Sequence, residues 1–168
     1  SQGSLAISAD VFKPGEAEVP EPGAGELLIR AVYFSPDPMN HGWVRGIPGK
    51  FDPIPVGGAM KGGIAGRVVA SNHPDWKVGD GVTGFLEWQD YCVSDGTDRM
   101  GAPLQRVPAG VPLASGLGAL GMTGLCAWLG LVDIGRPSPG DTVLVSGASG
   151  AIGSIAGQVA RLAGARVI

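Results

Sequence analysis

Three glycines, Gly147, Gly150 and Gly153, stand three residues apart in Ser146-Gly-Ala-Ser-Gly-Ala-Ile-Gly153, with Ser149 among them. Without Cβ atoms a chain can bend sharply and bring main-chain amides against an anion, which is the chemistry of a phosphate cradle. The elements that must hold such a cradle flank it. Thr142 to Val145 is short, aliphatic and β-branched without alternation, which predicts a strand covered on both faces. From about Ala151 the apolar residues Ile152, Ile155, Ala156, Val159, Ala160, Leu162 and Ala163 recur at helical spacing. Gly164 suits the helix C-cap, and Ala165 to Ile168 open a second strand. Strand, turn, helix and strand make the opening of a βαβ unit, with free N–H groups and the positive dipole end of the helix facing the anion. The spacing departs from two known patterns. Ala148 stands where G-x-G-x-x-G needs its first glycine, and Ala151 where T-G-x-x-x-G-x-G needs its second. A tight packing turn without ligand is the alternative reading of the same residues.

Other chemistry fits less well. Gly147-Ala-Ser149-Gly-Ala151 approaches a nucleophile elbow, but Ala151 occupies the place of the final glycine and no convincing His and acid partners follow. Cys92, Cys126, His41 and His73 are far apart and lack ligand spacing, so no metal site is expected. Both cysteines sit in apolar runs and read as core thiols, with no disulfide expected. His73 lies in Ser71-Asn-His-Pro-Asp75, a turn. The acidic pairs Glu16/Glu18 and Asp95/Asp98 fall in polar turns and are expected to be solvated.

Thirty glycines and fourteen prolines in 168 residues are spread without period, which implies many tight turns between short strands. A net charge of −3 without a basic run gives no footprint for nucleic acid or for an anionic membrane. Glycines and Asp133 interrupt the longest apolar stretch, Leu113 to Ile134, so a membrane span is not expected. With no secretory signal the expected compartment is the cytoplasm. Strand candidates are Leu5 to Val11, Glu26 to Phe34, Ile64 to Ala70 and Gly81 to Val93. Helical spacing appears through Leu117, Leu120, Leu125, Trp128 and Leu129. The expected partition is a β domain over 1–115 and the start of a βα domain over 116–168.

In this order the words Phe34-Ser-Pro-Asp-Pro38, Met60-Lys-Gly-Gly-Ile-Ala-Gly-Arg-Val-Val-Ala-Ser-Asn-His-Pro-Asp75, Val78-Gly-Asp-Gly-Val-Thr-Gly84, Trp88-Gln-Asp-Tyr91 and Leu120-Gly-Met-Thr-Gly-Leu-Cys-Ala-Trp128 precede the glycine turn. Together they resemble the zinc-independent medium-chain dehydrogenase/reductase superfamily. Within it they are most similar to the alkenal double-bond reductases, the group of leukotriene B4 dehydrogenase/prostaglandin reductase and curcumin reductase. The resemblance implies an α/β plus β fold, with a GroES-like β-barrel domain followed by the first part of a Rossmann dinucleotide-binding domain.

It also implies NADP(H) as cofactor, with Ser149, Gly150, Ala151, Ile152 and Gly153 at the pyrophosphate and Met122 and Thr123 beside the nicotinamide. On the residues alone, Met122 reads as core and Thr123 as a helix cap. Met39, Asn40 and His41 fall where the family places the substrate. Here Met39 and His41 replace a customary Tyr and Arg, which bears on pocket shape. The activity implied is metal-free reduction of the C=C bond of α,β-unsaturated aldehydes or ketones, with hydride delivered to the β-carbon, by a homodimer. No residue of the chain stands out as a general acid. Quinone reduction, as in the ζ-crystallin-like branch, and a non-catalytic piece of such an enzyme are the alternatives.

Overall fold

The computed structural model describes residues 8–49 and 52–168. Five strands, β1 (Leu27–Ser35), β2 (Lys61–Ser71), β3 (Gly81–Glu87), β4 (Tyr91–Ser94) and β5 (Gln105–Val107), form one sheet in the order β4-β1-β2-β3-β5. Every pairing in it is antiparallel. Among the described residues the sheet is open, with β4 and β5 as edges, and does not close into the expected barrel. Inward residues alternate along the strands, so Leu27, Ile29, Ile64, Val68, Val82, Leu86, Cys92 and Leu104 meet in one core. Each fully buried aliphatic side chain there contributes roughly 1.5–3 kcal/mol.

Several expectations shift. The strand expected over Leu5 to Val11 lies partly outside the described residues, and Ala9–Val11 is a single 3-10 turn capped by Ser8. The segment that follows is rich in proline, which donates no ladder hydrogen bond. It is held at the sheet by Asn72, whose Nδ2 donates to the carbonyls of Pro22 and Gly23 at 2.8 and 3.2 Å. The single strand expected over Gly81 to Val93 is two, β3 and β4. They are parted because the Asp90 carbonyl accepts from Ala31 N–H, directing β4 onto β1 instead of back along β3. A helix unforeseen in the sequence, α1 (Pro38–Arg45), follows β1 directly.

Beyond the sheet, a 3-10 turn at Leu113–Gly116 packs Leu113 against Ala65 and Val107. The expected helix begins only at α2 (Met122–Trp128), since the glycine-broken run before it is a turn. It continues as wider π-helical turns over Leu129–Gly135 and ends at Arg136 in the left-handed conformation, φ 47°. Then come β6 (Thr142–Val143), α3 (Ala151–Leu162) and β7 (Arg166–Val167), with β6 and β7 parallel and α2 packed on α3. This is the βαβ unit read from the sequence. The strand expected over Thr142 to Val145 covers only Thr142 and Val143, of which Thr142 is exposed, and Leu144 beyond it is 78% exposed. Cys126 is likewise exposed on α2 rather than in the core, whereas Cys92 is buried, and both are free thiols.

Candidate functional site

The residues singled out in the sequence fall in two places, the glycine turn and the corner where β1 enters α1. At the turn, Gly147 adopts φ 64°, a conformation open to glycine, and its carbonyl accepts from Gly150 N–H at 2.9 Å. Gly150 then caps α3, accepting from Ser154 N–H at 2.9 Å. A Cβ on Gly153 would overlap the Gly147 carbonyl oxygen, so the first turn of α3 lies directly against the loop. The N–H groups of Ala151, Ile152 and Gly153 precede the first intrahelical bond and find no backbone acceptor among the described residues. No acidic side chain occupies the first turn to neutralise the dipole. Ser149, Gly150 and Ala151 are exposed and Ile152 is 47% exposed, so the bend is open to a ligand instead of filled by side chains.

Met122 and Thr123 open α2, which packs on α3. Met122 is 72% exposed, so it is not the core residue its type suggests. Thr123 is half-buried, and its hydroxyl donates to the Gly118 carbonyl at 2.9 Å. That bond secures the turn before α2 while the hydroxyl oxygen keeps its acceptor capacity.

At the other end, Asp37 precedes α1 with Pro38 in its first turn, where the missing N–H costs nothing. Asn40 Oδ1 accepts from Asp37 N–H, and Asn40 Nδ2 donates to the Lys61 carbonyl of β2 at 2.9 Å. Both polar ends of Asn40 are therefore engaged within the protein. Met39 beside it is 55% exposed and His41 is half-buried. Beneath the corner Phe34 and Trp88 lie with ring centroids 5.8 Å apart, and Trp43 and Phe85 at 5.4 Å. Both pairs are tilted, at 50° and 45°, and so avoid the face-to-face stacking that aromatic quadrupoles disfavour. Trp88 Nε1 is buried and has no hydrogen-bond partner among the described residues.

A charged cluster borders this corner and was not read from the sequence. Arg99 Nε donates to both Glu87 carboxylate oxygens at 2.7 and 2.9 Å, while Arg99 Nη2 donates to the Val93 carbonyl. Lys61 is the cross-strand neighbour of Glu87. Burial works against ionisation of Glu87, yet the Arg99 hydrogen bonds and the Arg99 and Lys61 charges prevail and hold it below its ordinary value. Cys92 Sγ donates to the Glu87 carbonyl at 3.3 Å. Burial, and secondarily the Glu87 charge, pushes its thiol up to about 11, so it carries no thiolate at neutral pH. Asp98 is not simply solvated: its carboxylate accepts from the N–H groups of Phe85, Met100 and Ala102 and builds the turn after β4. These partners are separated in sequence by loops, which no spacing rule reports. Among the described residues no group of three or more His, Cys, Asp or Glu could hold a metal ion, and no helix is long and apolar enough to cross a membrane.

An open antiparallel sheet is thus followed by a βαβ unit whose glycine turn is uncovered. The chain belongs to the family described as the N-terminal domain of oxidoreductase, which matches residues 4–101. It is 43% identical over 159 residues to the NADPH-dependent curcumin reductase of Escherichia coli (strain K12), covering 94% of this chain and 44% of that protein. Against prostaglandin reductase 1 of Oryctolagus cuniculus the identity is 37% over 158 residues, covering 94% and 43%. The crystal structure of CurA in complex with NADPH from Vibrio vulnificus superposes with a TM-score of 0.81 at 37% identity, covering 99% of this chain and 48% of that one. The similarity to the curcumin and prostaglandin reductases therefore extends through nearly all of these residues, and the chain spans less than half the length of the relatives it matches.

Proposed function

We propose that this chain contributes the substrate-side sheet and the first pyrophosphate-binding turn of an NADPH-dependent reductase. Its reaction is reduction of the C=C bond of α,β-unsaturated aldehydes and ketones, without a metal. The observation that carries the reading is the uncovered N-terminus of α3, where three acceptor-free amides sit over a loop that admits no side chain at Gly153. A doubly charged pyrophosphate satisfies those donors and suits the positive helix end. Ser149 adds a hydroxyl at the rim, and Met122 and Thr123 are assigned to the nicotinamide, Met122 by an exposed thioether and Thr123 by its acceptor oxygen. NADPH held at this turn would supply a hydride for the β-carbon of the enone, and the enolate so formed would take its proton from solvent. The protein's own task is to hold the two reacting carbons in line and keep the apolar corner at Met39 against the substrate. The same reading makes the working enzyme a cytoplasmic homodimer.

The test is NADPH consumption by the protein with an enone and, side by side, with a quinone. Faster turnover of the enone, with product saturated at the C=C bond and the carbonyl intact, supports the proposal. Quinone turnover alone, or no NADPH binding, defeats it.

A further inference from the structure

The corner between α1 and β2 is tied together by one side chain. Asn40 reaches back to the N–H of Asp37, closing the first turn of α1, and forward to the carbonyl of Lys61, 21 residues on. Glu or Gln is the usual residue for the backward bond, and either is longer. The shorter amide of Asn40 leaves its Nδ2 free to donate to the neighbouring strand. Gly62 makes the approach possible. A Cβ there would lie 3.1 Å from Asn40 Nδ2 and only 2.5 Å from Trp88 Nε1, whose indole is itself pressed into the sheet. Asn40, Gly62 and Trp88 thus form a single contact that ties α1 to β2, and Met39, the residue before Asn40, is 55% exposed.

Resting on the reductase reading above, we infer that Asn40 is a positioning residue: it meets no substrate itself but fixes the first turn of α1, and through it the place of Met39 against the substrate. Both polar atoms of its amide are already engaged within the protein. Releasing it from Lys61 leaves the glycine turn untouched, because the Asn40 bonds run to Asp37 and Lys61 and not to that turn. A long or bulky enone, which must pass Met39, loses its wall, whereas a small one does not.

The experiment uses the whole enzyme with Asn40→Asp, which keeps an acceptor for Asp37 N–H and sets a carboxylate against the Lys61 carbonyl, and with Asn40→Ala, which removes both bonds. We expect KM for a bulky aryl enone to rise about tenfold, the scale of one lost hydrogen bond. The KM for butenone, the NADPH dissociation constant and kcat should stay within about twofold. Gly62→Ala, which forces the same contact apart from the other side, should give the same dependence on substrate size. Equal KM values in the variants and the parent overturn the inference. So does a fall in kcat at constant KM, which would make Asn40 a catalytic residue. A uniform loss of NADPH binding, both substrates and thermal stability makes it merely structural. Failure of the unsubstituted enzyme to reduce any enone strikes the parent reading, and is seen before any variant is compared.

Discussion

Gly153 is the residue on which the geometry of the glycine turn depends. Its missing side chain is the space into which the Gly147 carbonyl fits, and that fit aims the amides of the first helical turn outward. Gly153→Ala should therefore lower NADPH affinity by at least tenfold, about 1.4 kcal/mol, measured by fluorescence titration of the reduced nicotinamide. Ser149→Ala removes only a rim hydroxyl and should cost about threefold or less. Equal losses from the two would mean that the amides are not the anion's partners. At the corner before α1 the contrast lies between neighbours: Asn40 is engaged on both sides and Met39 is open.

Among the elements, the βαβ unit was the most legible from sequence. Apolar spacing from Ile152 to Leu162 and the glycines on either side leave a helix as the consistent reading, and α3 spans Ala151–Leu162. β1 and β2 were also legible, from the β-branched and aliphatic runs that become Leu27–Ser35 and Lys61–Ser71. α1 was not, because Pro-Asp-Pro followed by Met, Asn and His carries no apolar period; its stability comes from capping and from Asn40 on β2. β5 was missed since three residues have no pattern, and the pairing of Gly81 with Val107 is decided by tertiary context. At the site, the glycine turn was legible and the Glu87–Arg99 pair was not, as its two residues meet only when the loop after β4 folds back.

The π-helical turns after α2 end on Arg136, the one non-glycine residue with positive φ among those described. The left-handed conformation costs an L-residue roughly 1–2 kcal/mol that glycine avoids. Arg136→Gly gives up the exposed Arg136 Nε bond to the Asp133 carbonyl, so we expect a net gain of about 0.5–1 kcal/mol. Calorimetry should register this as a rise of roughly 2 °C in Tm. A fall would mean that the Arg136 side chain matters more than its backbone.

For the molecule as a whole, pH acts from two sides. Glu87, whose ordinary value is 4.5, is held lower by Arg99 and Lys61 against its burial. Asp80, ordinarily 3.8, is held lower by the Lys77 N–H and by Arg106. Below these values the unfolded chain binds more protons than the folded one. Stability from both groups is thus full above about pH 5 and is lost as pH falls through their lowered folded values. Cys92 acts oppositely. Its folded value of about 11 exceeds its ordinary 9.0, so its contribution is full below pH 9 and disappears as pH rises toward 11. Urea midpoints against pH should show both limbs, and Cys92→Ala should flatten only the alkaline one. An unchanged alkaline limb in that variant would place the loss elsewhere.

The indole of Trp88 has a further use. With its N–H shut away from water and without an acceptor among the described residues, it should emit toward the blue, whereas Trp128, 53% exposed, should emit as a wet indole. The protein therefore carries its own optical gauge at the joint between helix and sheet: a red shift that vanishes in Trp88→Phe would report, in real time, water seeping in as that joint loosens.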